Sequence, residues 1–430
     1  MPDGYASPFV DLPPTSRTVR HLTPSPSPTD RRHDLDALRA FAMLLGIVLH
    51  ATSAYRGVKA PVTDVFSSPD LIFDEVFHAI HGFRMQLFFL ISGFFTMLLQ
   101  QRLGWGGMLR QRAVRIALPL AVGTVTIVRL TRWTKVELAS QAWLDRQNVA
   151  LDGGIEIRWI GPFGELWFLW FLVLFVSAFA LVSAASPVGL ARWLKTLPSP
   201  MLAAIAFAAT WGAQYSVMAA RPRPRFAMPA PLTVLPEPQT LLYYGTFFFV
   251  GIAVRYAETI AGRPLLGTQP RAWLLLLPGS VVFFFALDTT FEGGREDLMV
   301  AALLQTLYAW LMVGGLLGLF STIIRGERQS VRYLSDSSYW LYLAHPPLVV
   351  LGQWYMRNWE LSAVAKFALL NLSVTALLLA SYALFVRHTP IGWVLNGRRS
   401  RTALRDRSHL AQTQRRDQPH DSETLRRALR

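Results

Sequence analysis

The sequence predicts an all-α fold, a polytopic transmembrane helical bundle of about ten spans with both termini cytoplasmic. Three observations carry this. Of the 430 residues, 52% are hydrophobic and only 16% charged, and the mean hydropathy is +0.31. Apolar runs near the ~20 residues that cross a bilayer recur along the chain. Arg and Lys gather in alternate connections between these runs, the asymmetry that orients membrane helices. The net charge of +15 is therefore read as cytoplasmic anchoring and attraction to membrane lipid, and no nucleic acid is expected as a partner. The chain has no cysteine, which excludes disulfides, a thiolate nucleophile and a Cys-ligated metal.

Residues 1–33, with PPTS, TPSPSP and RRH, carry too little apolar surface to pack and read as a disordered cytoplasmic tail. Insertion is expected to use the first span itself. The ten spans are expected near 35–55, 76–100, 113–130, 163–185, 200–220, 240–257, 271–288, 297–323, 336–356 and 363–387, giving a membrane domain over 34–388. Residues 389–430 form a second, basic cytoplasmic tail.

Loop charge supports the count. With the N-terminus inside, cytoplasmic connections hold Arg102, Arg110 and Arg112, then Arg192 and Lys195, then Arg255, Arg263 and Arg271, then Arg325, Arg328 and Arg332. The outer connections hold Asp64, Asp70 and Asp74, and later Asp288, Glu292, Glu296 and Asp297. Two outer segments break the rule: the charge-mixed stretch from Arg129 to Arg158, and RPRPRF with Arg221, Arg223 and Arg225. The bland reading, tolerated outer charge, outweighs an anion- or polyol-binding one.

The first span organises the chemistry. On a helix Asp36, Arg39, Met43, Gly46 and His50 share one face. Asp36 and Arg39 are spaced for an ion pair, and His50 lies about 16 Å further along the axis. Ionisable groups in a span are costly unless they face protein or water, so this face is a functional candidate. The second span places His78, His81, Met85, Phe89 and Ser92 on a similar arc, with Arg84 and Gln86 beside it. The His78/His81 spacing suits a metal, but no HExxH-like signature completes a site, and no metal is expected. Arg112 and Arg115, one turn apart at the start of the third span, could grip a diphosphate, although cytoplasmic anchoring alone would also put Arg there. Glu165 at a helix start could bond a sugar hydroxyl or cap its helix. On the late span Tyr342 reads as packing or belt, and His345, before Pro346 and Pro347, as a cavity candidate. These features alone leave an enzyme and a glycan transporter or flippase close to even.

The motifs resemble the membrane acyltransferase-3 family. Arg39 and His50 match its Arg, ten residues, His pattern; FFLISGFF followed by Arg112 and Arg115 in RAVRIALP resembles the segment with its Arg-x-x-Arg pair; SSYWLYLAHPP resembles its late Ser-Tyr/Leu-His motif. LDALRAFAMLLGIVLH, FHAIHGFRMQLFFLISGFF, ELWFLWFLVLF and YLAHPP are most similar to the glucan biosynthesis protein C branch. The resemblance implies a multi-pass protein of the bacterial inner membrane that moves a succinyl group from cytoplasmic succinyl-CoA to hydroxyls of a periplasmic glucan. Acetyl-CoA with another envelope glycan is the alternative, and no permanently bound cofactor is implied. On this expectation Arg112, Arg115 and Arg39 hold the donor, Asp36 pairs with Arg39, and His50 is the general base. His81, Arg84 or Ser92 would stabilise the oxyanion.

Overall fold

A computed structural model describes residues 32–56, 60–66, 70–139, 161–185, 200–222, 225–231, 233–269, 271–324, 326 and 328–397. Among the described residues the regular structure is helical, with no strand. The α-helices are α1 (His33–Ala51), α2 (Leu71–Arg112), α3 (Leu118–Gly123), α4 (Arg129–Glu137), α5 (Trp167–Ala185), α6 (Pro200–Ala219) and α7 (Pro238–Ala261). They continue as α8 (Leu276–Phe291), α9 (Leu298–Ile323), α10 (Gln329–Met356), α11 (Ala363–Ser381) and α12 (Pro390–Asn396).

Eight helical stretches among the described residues are long and apolar enough to cross a membrane. The expected second and third spans lie within one of them, Leu71–Glu137. The charged connection foreseen around Arg102 to Arg112 is helical instead, broken at Gly104, whose φ of 67° and ψ of −177° suit a residue without Cβ. The expected ninth span is α10; its SDSSYWLYLAH turns make it more polar, and it is not one of the eight. The last helix among the described residues, α12, lies within the stretch read as the basic tail and buries Leu395.

The main core joins α1, α2, α5, α7 and α9 through Leu38, Phe89, Phe171, Phe248 and Tyr308. At its centre α2 and α7 touch backbone to backbone. A Cβ on Gly93 would fall 1.9 Å from the Phe248 carbonyl oxygen, and one on Gly251 would fall 2.0 Å from that of Leu90. Gly93 of ISGFF thus serves a close approach of the two helices. A second core packs α1 against α10 and α11 through Ile47, Leu341, Val349 and Leu370. It is locked at the first turn of α11 by a buried ion pair, Lys366 Nζ to Asp64 Oδ1 at 2.6 Å, with Lys366 also donating to the Trp359 carbonyl.

The segment 225–231 enters the bundle rather than lying over it. Phe226, Ala227 and Met228 are all buried. Gln305 accepts from the Ala227 amide at 2.7 Å, and the Tyr244 hydroxyl donates to the Met228 carbonyl at 3.1 Å. These bonds hold Ala227 at φ 63°, a left-handed conformation that a Cβ disfavours. Arg221, at the start of RPRPRF, pairs with Glu237 at 3.7 Å.

Candidate active site

Helices α1 and α10 run in the same direction and in register. Arg39 meets Ser335 near the start of both, and eleven residues on His50 meets His345, ten residues beyond Ser335. At about 1.5 Å per residue the polar seam between these contacts is ~15 Å long. One end is basic and the other holds the imidazoles.

At the basic end Arg39 Nη2 donates to Ser335 Oγ at 3.3 Å and faces Asp36 Oδ1 at 3.5 Å. Arg112 Nη2 donates to Thr96 Oγ1 at 2.8 Å and to the Ser92 carbonyl at 3.4 Å, and its buried Nε has no partner among the described residues. Arg115 stands beside both; the three guanidiniums act electrostatically on one another and on the Tyr339 hydroxyl. The local sequence explains the placement. Arg115 lies in a π-helical turn, Ala113–Ala117, that rotates the chain between α2 and α3. Pro119 has no amide to offer the carbonyl four residues earlier. That carbonyl, of Arg115, accepts from the Tyr339 hydroxyl at 2.7 Å. Gly397, after α12, lies against the Arg115 guanidinium, where a Cβ would sit 2.2 Å from Nη2.

At the other end the His50 and His345 rings are 5.1 Å apart between centroids, tilted by 42°. His50 is half-buried and His345 is 1% exposed. The turn that carries His50 is fixed by Gln353, whose amide donates to the His50 carbonyl at 3.0 Å and the Ala51 carbonyl at 3.2 Å. Arg84 enters from α2 over Gly46. A Cβ on Gly46 would lie 2.5 Å from Arg84 Nη1 and 4.0 Å from His345 Cε1, so the glycine face is what admits the guanidinium. Arg84 donates weakly to Met85 sulfur, and its buried Nε has no partner among the described residues. Glu165, just before α5, is gripped by Lys135 Nζ at 2.6 Å. Its carboxylate acts electrostatically on both imidazoles, and its backbone carbonyl accepts from the Tyr342 hydroxyl at 2.9 Å. Tyr339, Tyr342 and His345 thus form one wall of the seam, their rings following each other at 6.4 Å.

The remaining sequence candidates divide. His81 stacks on Phe77 at 5.4 Å and lies within electrostatic reach of Arg84. His78 turns toward Phe226 and Phe291 instead. Above them Arg56 pairs with Asp74 at 2.6 Å and lies 3.7 Å over the Phe77 ring. Burial lowers the Arg56 pKa, and Asp74 opposes that shift. Ser92 stands at the arginine end, its carbonyl under Arg112, and not beside His50. Among the described residues no group of three or more His, Cys, Asp or Glu could hold a metal ion.

The seam thus offers an anion-binding end and an imidazole end joined by a wall of hydroxyls. Residues 32–386 match the model of the family described as Acyltransferase domain. The chain belongs to that family. The chain is 31% identical over 160 residues to Glucans biosynthesis protein C of Escherichia coli (strain K12), a match covering 36% of this chain and 39% of that relative. It is 25% identical over 392 residues to Glucans biosynthesis protein C of Salmonella heidelberg (strain SL476), covering 86% and 96%, and equally similar to that of Salmonella agona (strain SL483). No solved structure matches. The chain is a multi-pass membrane protein by its helices and its family.

Sequence reasoning missed Lys135, Thr96 and Ser335. Lys135 sat in a stretch read as a charge-mixed loop; α4 orders it, and the i, i+3 spacing from Arg132, which bonds the Gly161 carbonyl at 2.7 Å, was the available signal. A cavity of about 1180 Å³ between α5, α6, α7 and α9, lined by Phe175, Phe249 and Trp310, is apolar and contains none of the site residues.

Proposed function

We propose that this acyltransferase moves a succinyl group from cytoplasmic succinyl-CoA to a hydroxyl of a periplasmic glucan. The observation that carries the reading is the in-register seam between α1 and α10, basic at Arg39 and imidazole-lined at His50. Its length, ~15 Å, suits a pantetheine arm whose phosphates stay with Arg39, Arg112 and Arg115 while the thioester reaches His50. Guanidiniums bind phosphate bidentately, and among the described residues Arg112 is bonded only by neutral groups. The names of the relatives support a glucan acceptor.

In this reading neutral His50 takes the proton of the sugar hydroxyl as its oxygen attacks the thioester carbon, because an alcohol attacks poorly without a base. The Arg84 guanidinium, seated on Gly46 beside the imidazoles, stabilises the oxyanion as it forms. The C–S bond then breaks, and the CoA thiolate takes the proton back from His50. Asp36 keeps Arg39 in place at the far end.

The test uses purified protein, labelled succinyl-CoA and glucan. Glucan ester should form, and His50→Gln should lower kcat by roughly 10²- to 10⁴-fold while the protein inserts normally. Full activity in His50→Gln rejects the base, and glycan movement without ester rejects the transferase.

A further inference from the structure

Pro346 interrupts α10 one residue after His345. In a regular helix the amide of residue 346 would bond the Tyr342 carbonyl; proline has no amide, and its ring pushes that carbonyl off the helix axis. The freed carbonyl is used. His345 Nδ1 lies 2.9 Å from the Tyr342 oxygen and 3.0 Å from the Leu341 oxygen. Both partners are acceptors, so the proton is on Nδ1 and the Nε2 lone pair is bare. Nε2 is buried and has no hydrogen-bond partner among the described residues, although His345 is 1% exposed. A buried acceptor left open is costly, and such groups in a native fold call for an explanation.

We infer that His345 is the positioning residue for His50, and that Pro346 sets the tautomer in which it acts. The inference rests on the acyl-transfer reading of this site. The two rings, 5.1 Å apart, need only a small rotation to bring a His50 N–H onto His345 Nε2, and such bonds tighten when substrate closes a site. With that bond made, the His50 nitrogen turned toward the acceptor carries the lone pair. The sugar O–H proton goes to that nitrogen as the C–O bond forms, and returns to the leaving thiolate as the C–S bond breaks. His345 gains and loses no proton; it steadies the His50 imidazolium by accepting its N–H. A neutral imidazole does here what a carboxylate does beside other catalytic histidines. The charged groups around the pair are Arg84 from α2, Glu165 ahead of α5 and Lys135 from α4.

The experiment compares wild type, His345→Gln, His345→Ala and Pro346→Ala in the full-length protein. Gln returns an amide oxygen near the Nε2 position, so His345→Gln should keep much of kcat, whereas His345→Ala should lose about tenfold or more, the scale of losing a ring-orienting partner. The KM for succinyl-CoA should stay constant across the series. Nitrogen NMR of histidine-labelled protein should show a ring with protonated Nδ1 and bare Nε2 that is absent from the His345→Gln spectrum and mixed in Pro346→Ala. Equal kcat in Gln and Ala, or a ring protonated on Nε2 in wild type, overturns the inference. Should wild type transfer no acyl group from any acyl-CoA, the transfer reading fails, while the NMR arm still decides the tautomer.

Discussion

Glycine 46 shows how much a single missing carbon can control. Its face carries the Arg84 guanidinium, which would lie 2.5 Å from an added Cβ. The neighbour that must move is the far end of a flexible side chain, so Gly46→Ala should leave folding almost intact, and alanine is the better helix former. It should displace the guanidinium by about 1 Å, a misplacement that can lower turnover on the order of 10²-fold. The expected result is a thermal midpoint in detergent equal to wild type, a donor KM unchanged, and kcat sharply reduced. Retained kcat would remove Arg84 from the reaction. At this scale much was legible in the sequence. Asp36, Arg39, Gly46 and His50 share a face by helical period alone, and the structure finds Asp36 on Arg39 and Arg84 on Gly46. Partners distant in the chain were not legible. Nothing local to Ser335 says that it meets Arg39, and nothing in the period of α2 says that His78 turns to Phe226 while His81 follows Arg84.

Among elements, two of the prolines inside helices share a logic. Pro119 and Pro346 each delete an amide, and in each case the carbonyl left over is taken by a side chain of the seam: Tyr339 on Arg115, and His345 on Tyr342. Sequence reasoning could place these prolines in spans, yet it could not name the recipient of the carbonyl, because the recipient of Arg115 comes from another helix. The same limit applied to the turn at Gly104, where a run of Arg and Gly read as a loop and proved to be two helical arms about one residue. The α2–α7 contact makes a prediction of its own. Gly93→Leu or Gly251→Leu must separate backbones that leave no room for a Cβ, and overpacking of this kind costs about 1–3 kcal/mol. Each variant should lower the thermal midpoint. Because α2 carries Arg84 on the same rod as Gly93, kcat should fall as well, and an unaltered midpoint would show that the two helices can part freely.

On the scale of the whole molecule, the proposed reaction puts the two ends of the seam in two compartments. The in-register pairing of α1 with α10 allows no slippage between them, since Arg39–Ser335 and His50–His345 are fixed together and Gln353 ties the far end. In the proposed reaction, a donor held by its phosphates at the arginine end therefore presents its thioester in the direction of His50. The consequence is sidedness. In sealed vesicles carrying the protein, succinyl-CoA should support transfer only when added on the face bearing the Arg39, Arg112 and Arg115 cluster, and glucan should accept only on the opposite face. Arg112→Ala and Arg115→Ala should raise the succinyl-CoA KM at that face, and more so at low salt, where unscreened phosphate contacts contribute most. His50→Gln should leave that KM unchanged and lower kcat, because an interaction made with the donor's phosphates and one made with the reacting hydroxyl separate in this way. Transfer supported by donor on either face would mean that the seam does not divide the compartments, and the bundle would then have to be read as a site open from one side.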